Sequence, residues 1–115
     1  MKQVVLDTNF IISCAKNKID FFEEILLMGM QIIIPMQVIR ELERLNFSDS
    51  KLALKILEKN KFKKINLGFG HVDKKIISHA RKNPEMVIAT LDREMKKKLK
   101  NNKLIIRGRK KLEIQ

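Results

Sequence analysis

Four acidic residues stand where an α/β fold would bring them to one edge of the molecule. Asp7 ends the apolar segment 4–6, and Asp92 ends the apolar segment 87–91. In an open parallel sheet, ligands and chemistry collect outside the carboxyl ends of the strands. Two carboxylates at two such ends are therefore candidates for one site, and Glu41 and Asp73 on predicted helices are candidates to join them.

Carboxylates that share a site repel one another. Protons or a divalent cation must neutralise them, and Mg²⁺ or Mn²⁺ is the usual partner of a cluster that offers only oxygen ligands. The four acids therefore favour a site for one of these two metals.

Each acid also has an ordinary structural explanation. Asp7 and Asp92 could cap the helices that follow them, and Asp73 could be an N-cap within a hydrophobic staple. Glu41 could pair with Arg44 one helical turn away. Capping alone does not require four carboxylates around one sheet, so the metal interpretation stays open beside these alternatives.

Apolar periodicity predicts strands that alternate with helices along the whole chain. This alternation is typical of a mostly parallel sheet covered on both faces. The predicted strands are 2–6, 31–34, 62–66, 86–90 and 103–107. The predicted helices are 9–16, 20–28, 36–45, a helix capped by Ser48 or Asp49 and ending near 59, 73–83, and 93–100.

Length and composition predict a single domain over residues 1–115, with 44% apolar and 33% charged residues. One cysteine excludes an internal disulfide and a multi-cysteine zinc site, which fits a reducing compartment. The apolar runs are too short to cross a bilayer, and the first residues lack a secretory pattern. We therefore expect a cytoplasmic protein with no membrane partner.

The net charge of +12 is unevenly distributed. Residues 1–46 carry five basic and six acidic side chains, so the rest of the chain carries a net +13. Between Arg93 and Lys111 only Glu94 is acidic. Such asymmetry indicates a polyanion partner, and nucleic acid is the first candidate. The alternative is a solvated, lysine-rich surface that only aids solubility.

Other chemistries lack support in this sequence. The two histidines, His71 and His79, accompany no nucleophile-elbow pattern, and no glycine-rich phosphate-binding signature is present. The chain has six Phe but no Trp or Tyr, which leaves little material for a base-stacking platform. We therefore expect RNA binding to be mostly electrostatic and strongly salt-dependent.

Four short segments resemble the four motifs of PIN domains, in the same order and along nearly the whole chain. They are 6–9 (LDTN), 38–42 (VIREL), 71–76 (HVDKKI) and 89–94 (ATLDRE). The sequence is most similar to small archaeal PIN proteins related to VapC toxins and to the PIN domains of eukaryotic small-subunit ribosomal RNA processing factors.

The resemblance implies an α/β fold, a three-layer α/β/α sandwich with a short, mostly parallel central sheet. It also implies a Mg²⁺- or Mn²⁺-dependent ribonuclease, a homodimer, and an antitoxin protein or a ribosomal precursor particle as partner. The residues that match the catalytic, metal-binding acids are Asp7, Glu41, Asp73 and Asp92, and those that match their orienting polar neighbours are Thr8, Asn9 and Thr90.

Together these observations predict an endoribonuclease in which a carboxylate-bound metal activates water against RNA phosphodiesters. Basic residues in the C-terminal segment would hold the RNA over the acidic site. The predicted contacts are Arg93, Lys96, Lys97, Lys100, Arg107, Arg109 and Lys110. The alternative function is a non-catalytic RNA-binding or ribosome-assembly module that uses the same segment.

Overall fold

A computed structural model describes residues 1–108 and 110–115 of the chain. Its strands are β1 (Lys2–Leu6), β2 (Met30–Pro35), β3 (Lys63–Ile65), β4 (Val87–Ala89), β5 (Lys103–Arg107) and β6 (Lys111–Ile114). Its helices are α1 (Thr8–Lys16), α2 (Phe21–Leu27), α3 (Met36–Leu45), α4 (Ser48–Glu58), α5 (Val72–Lys82) and α6 (Arg93–Lys98).

The six strands form one sheet in the order β3-β2-β1-β4-β5-β6. The first five strands are parallel to their neighbours, whereas β6 pairs with β5 in the antiparallel direction. The predicted α/β fold with a short, mostly parallel central sheet is therefore confirmed. The sheet has β1, the first strand of the chain, near its middle.

Helices cover both faces of this sheet, which gives the expected three layers. From β1 the chain moves outward on one side through β2 to β3, and it then crosses to the other side for β4 and β5. Right-handed connections place the helices of these two halves on opposite faces. In agreement, α1, α3 and α4 contact one another, while α5 contacts α6.

The central strands are apolar because they are buried on both faces. The side chains of Val4, Val5 and Leu6 in β1 have no solvent exposure, and β4 is fully buried as well. The apolar runs that predicted these strands therefore correspond to the sheet core. This core fixes the carboxyl ends of β1 and β4 next to each other.

The predicted starts of α1, α2, α4 and α5 are wrong by one or two residues. Helix α4 begins at Ser48, so neither Ser48 nor Asp49 is its N-cap. Instead, Ser50 reaches back, and its hydroxyl both accepts from the Phe47 N–H at 2.9 Å and donates to the Phe47 carbonyl at 2.8 Å. Ser50 is fully buried, so it satisfies backbone groups that water cannot reach.

Strand β6 is absent from the predictions. The sequence of this region reads as a basic run, because charged residues outnumber apolar ones and only Leu112 is buried in the strand. Gly108 adopts φ +61 at the end of β5, a conformation that favours glycine and that directs the chain into the hairpin. A glycine between two short alternating segments was the available signal.

Every helix in the described ranges is too short or too polar to span a bilayer.

A buried amide joins helix α5 to the strands on its side of the sheet. Asn101 is 4% exposed, and its Nδ2 lies 3.1 Å from the Ala80 carbonyl, 3.0 Å from that of Asn83 and 2.9 Å from that of Met86. Three backbone acceptors between α5 and β4 thus depend on one side chain. The start of β4, and through it the position of Thr90, depends on this contact.

We predict that Asn101→Ala lowers the free energy of unfolding by about 2–3 kcal/mol, because it leaves buried carbonyl groups without a donor. The neighbouring Asn102 is exposed, and Asn102→Ala should change stability by less than about 0.5 kcal/mol. Urea unfolding of the two variants measures the difference. Equal stability would show that the carbonyl groups find other donors.

Candidate active site

Asp7 lies at the carboxyl end of β1 and is the N-cap of α1. Its carboxylate is 4% exposed and accepts two hydrogen bonds, from the Thr8 N–H to Oδ1 at 2.8 Å and from the Thr90 hydroxyl to Oδ2 at 3.0 Å. Its own N–H donates to the Ala89 carbonyl at 3.0 Å. Asp7 therefore joins the ends of two strands that are 83 residues apart in sequence.

These strands, β1 and β4, flank the point where the strand order reverses. The chain proceeds from β1 toward β2 and β3, and from β4 toward β5, so the connections that leave β1 and β4 diverge to opposite faces. Such a divergence opens a crevice outside the carboxyl ends of the two strands, where ligands bind in open α/β sheets. Asp7, Thr90 and Asp92 stand at this crevice.

Asp92 continues the site from β4. The Thr90 hydroxyl oxygen accepts from the Asp92 N–H at 3.1 Å. The Asp92 carboxylate caps α6, since Oδ1 accepts from the N–H groups of Glu94 at 2.9 Å and Met95 at 3.3 Å. The capping interpretation of Asp92 is therefore confirmed. Both bonds go to Oδ1, so the capping of α6 does not use Oδ2.

Asp73 lies in the first turn of α5 but does not cap it. The helix begins at Val72, its N-cap is His71, and no side chain bonds to the first turn in the manner of a cap. The interpretation of Asp73 as an N-cap is therefore wrong. Glu41 on α3 forms the alternative ion pair, with its Oε2 3.4 Å from the Nη2 of Arg44.

The charges of neighbouring acids affect the pKa values of Asp7 and Asp73. Burial raises the pKa of Asp7 from an ordinary 3.8 to about 6, against the lowering effect of the hydrogen bonds from Thr90 and Thr8. The negative charges of Asp73 and Glu41 are smaller causes of this raised pKa. A carboxylate on β1 thus senses the charges on two separate helices.

The pKa of Asp73 is also raised, first by partial burial and then by the negative charges of Asp92 and Glu41. The charge of His71 opposes this shift. Each of the four acids is therefore electrostatically linked to another, with Asp73 linked to the other three. The site is an acidic cluster in need of positive charge.

A divalent cation fits this cluster when water completes its coordination. Among the described residues, no three His, Cys, Asp or Glu side chains stand close enough together to bind one ion directly. Such spacing suits Mg²⁺, because this ion retains several water ligands and commonly binds only one or two carboxylates directly. The hydroxyl of Thr8, beside Asp7, is buried without a hydrogen-bond partner in the described part of the chain and could meet such a water.

The polar neighbours predicted beside the acids differ in position. Thr8 and Thr90 are buried, at 2% and 0% exposure, and contact Asp7 as described. Asn9 lies in the first turn of α1 and is exposed. Two of the three residues thus adjoin the acidic cluster directly.

The predicted RNA contacts divide into two groups. Arg93, Lys96, Lys97 and Lys100 lie on or just after α6, beside the cluster, although Lys97 pairs with Glu94 at 3.6 Å. Arg107 and Lys110 lie at the β5–β6 hairpin, and Arg107 is bound to Glu113 at 2.6 Å. Arg109 lies outside the described residues. Strand β6, which brings Glu113 to Arg107, is the reason for this division.

The prediction of RNA contacts missed three cations on α5. Lys74, Arg81 and Lys82 of α5 line a groove together with Lys98 of α6. The prediction of RNA contacts considered only the dense basic run after residue 92. The recurrence of cations at positions 74, 81 and 82, one face of a helix, was the signal that could have shown this groove.

Comparison with known proteins agrees with the α/β fold. Residues 4–111 match the family model described as a PIN like domain. Ribonuclease VapC4 of Methanocaldococcus jannaschii is 35% identical over 127 aligned positions, which cover 99% of this chain and 97% of that protein.

Two solved structures have a similar fold. The PIN domain endonuclease Utp24 superposes with a TM-score of 0.86 at 24% identity, over 98% of this chain and 90% of that chain. A domain of a functionally unknown protein from Methanocaldococcus jannaschii superposes with a TM-score of 0.55 at 21% identity, over 83% and 81%. With most of its length matched by the family model, the chain belongs to the family of PIN-like domains.

Proposed function

We propose that this protein is an endoribonuclease that hydrolyses RNA phosphodiesters with Mg²⁺ or Mn²⁺ bound at the acidic cluster of Asp7, Glu41, Asp73 and Asp92. The observation that carries this proposal is that Asp7 and Asp92 follow β1 and β4, where the strand order reverses, and that the charges of Asp73 and Glu41 are near enough to raise the pKa of Asp7. The relationship to a protein named as a ribonuclease supports it. RNA is accordingly the proposed substrate, in the cytoplasm.

Asp7 is the proposed principal ligand because its position is the most constrained. Each of its carboxylate oxygens accepts one hydrogen bond, from Thr8 or from Thr90, and retains one lone pair for a cation. The two bonds fix the plane of the carboxylate, in the way that outer partners commonly orient a metal ligand. Thr90 therefore acts as a positioning residue.

The remaining acids would act from three other elements. Oδ2 of Asp92 is not used in capping α6, Asp73 projects from the first turn of α5, and Glu41 can exchange Arg44 for a cation. A bound divalent metal would supply Lewis acidity and lower the pKa of a water molecule at the phosphodiester. The acids of the chain would hold it in place and balance its charge.

The first prediction concerns cleavage. Asp7→Asn should lower the rate of cleavage of a labelled structured RNA in Mg²⁺ or Mn²⁺ by at least about 100-fold, because an amide replaces the most constrained anionic ligand. EDTA should abolish cleavage by the wild type. Asp49→Asn, a change to an aspartate in the first turn of α4 that is not one of the four acids, is the matched control and should cleave at the wild-type rate.

Equal cleavage by Asp7→Asn and Asp49→Asn would contradict the proposal. A wild type that binds RNA but cuts none with either metal would instead favour the non-catalytic RNA-binding module. Circular dichroism of both variants verifies that folding is matched.

The second prediction concerns stability and pH. The pKa of Asp7 is raised to about 6 in the folded protein and is near 3.8 when unfolded, so the folded state holds a proton that the unfolded state releases. In EDTA the contribution of Asp7 to stability should therefore fall by about 3 kcal/mol as pH rises from about 4 to about 7. Asp7→Asn should lack this component.

Urea unfolding at several pH values measures the difference between wild type and Asp7→Asn. Mg²⁺ at neutral pH should restore stability to the wild type and have less effect on the variant, because the ion binds only the folded state. The same pH dependence in both proteins, or equal stabilisation by Mg²⁺, would contradict the assignment of Asp7 as a ligand.

The third prediction concerns the buried hydroxyl of Thr8. In EDTA, Thr8→Val should preserve or raise stability by up to about 1–2 kcal/mol, because it removes a buried polar atom without a partner. In Mg²⁺ the same variant should cleave RNA at least about tenfold more slowly. Thr8→Ser keeps the hydroxyl and should retain cleavage. A less stable but fully active Thr8→Val would show that the hydroxyl serves the fold instead.

A further inference from the structure

A basic groove lies between α5 and α6, separate from the hairpin that carries Arg107. It has a volume of about 540 Å³ and is lined by Lys74, Ile77, Ser78, Arg81, Lys82 and Lys98. Its four cationic side chains are exposed, whereas Ile77 is buried and forms part of the floor. No carboxylate is among its lining residues.

The α5 side of the groove is one face of the helix. Positions 74, 78, 81 and 82 recur at the spacing that places side chains above one another along a helix. From Lys74 to Lys82 the helix rises about 12 Å, at 1.5 Å per residue. A stacked nucleic acid strand advances about 3.4 Å per nucleotide, so this face spans about three phosphates.

The stability of α5 does not explain all of these charges. Arg81 and Lys82 lie in the last turn, where a cation complements the helix dipole. Lys74 lies in the first turn, where a positive charge is unfavourable for the helix. Neither these three residues nor Lys98 forms a salt bridge within residues 1–108 and 110–115. The groove therefore presents unneutralised charge along its whole length.

The groove begins beside the acidic cluster. Lys74 directly follows Asp73, and both are in the first turn of α5, whose start faces the crevice. Because α5 leads back to the start of β4, the groove runs from the crevice toward the opposite edge of the sheet. A strand whose scissile phosphate lies at the acids could continue into this groove without a bend away from the surface.

We propose that the groove between α5 and α6 binds the phosphate backbone of the RNA substrate on one side of the scissile bond, over about three nucleotides. The inference rests on the proposed ribonuclease function and assigns it a path for the substrate. Contacts of this kind are to phosphates, so they position the strand without reading its sequence.

The test is RNA binding in EDTA, where no cleavage occurs. The groove variant is Lys74→Gln with Arg81→Gln and Lys82→Gln. The matched control is Lys51→Gln with Lys55→Gln and Lys59→Gln, three exposed lysines on or at the end of α4, which belongs to the opposite layer. Both variants lose the same charge, so only its location differs.

Fluorescence anisotropy with a single-stranded RNA oligonucleotide over a range of salt concentrations gives the affinity and its salt dependence. Loss of three phosphate contacts should reduce the slope of log K against log[salt] by about 2 and weaken binding at least about tenfold in the groove variant. The control should bind within about twofold of the wild type. In Mg²⁺ the groove variant should raise KM and leave kcat nearly unchanged.

Equal binding by the groove and control variants would overturn the proposal and would leave an acidic protein surface as the occupant of the groove. The single variant Arg81→Glu, with Lys55→Glu as its control, repeats the comparison if either triple variant is unfolded. If the groove variant binds RNA more weakly than its control but the wild type cuts no RNA with any metal, the proposed nuclease function would be refuted. RNA binding by the groove would then still stand. If the groove variant cleaves RNA with the wild-type KM, RNA binding by the groove would be refuted and the proposed nuclease function would remain.

Discussion

The hydrogen bonds between the ends of β1 and β4 are the constraint on which the rest of the structure depends. The side chain of Asp7 accepts a hydrogen bond from the Thr90 hydroxyl, and its backbone N–H donates one to the Ala89 carbonyl. These contacts hold a carboxylate at the point where the two halves of the sheet diverge. The elements that carry Asp73, Glu41 and Asp92 are all positioned relative to this junction, so its geometry determines the acidic cluster.

The buried carboxylate of Asp7 at this junction lowers the stability of the fold but suits the proposed chemistry. A buried carboxylate with two hydrogen bonds is still costly to ionise, as its raised pKa shows, and neighbouring acids add to that cost. The unpartnered hydroxyl of Thr8 is a second unfavourable feature at the same place. Unfavourable local features concentrate at functional sites, where the rest of the fold compensates for them. Here the compensation is the apolar sheet core directly beneath.

Most of the fold could be predicted from the sequence because its central strands are short apolar runs between helical patterns, and helix 36–45 and strand 103–107 were located to the residue. Strand β6 could not be found by hydrophobicity, since only one of its residues is buried.

The acids could be named from their positions at strand ends. The sequence could not show which acid caps a helix, because Asp73 and Asp92 occupy similar local sequences. Asp92 immediately precedes α6, whereas Asp73 is the second residue of α5. The ion pair between Arg107 and Glu113 could not be predicted either, because Glu113 lies in β6, which was not predicted.

The location of β1 has a consequence for synthesis of the protein. This strand precedes the other described strands and helices along the chain, yet one of its two neighbours in the sheet is β4, whose last residue is Ala89. During translation β1 can pair with β2 early, but its other edge must wait until more than fifty further residues have left the ribosome. Non-local parallel pairing of this kind is slow. The acidic cluster therefore cannot form until β4 and Asp92 have left the ribosome, so a shorter nascent chain lacks the complete site.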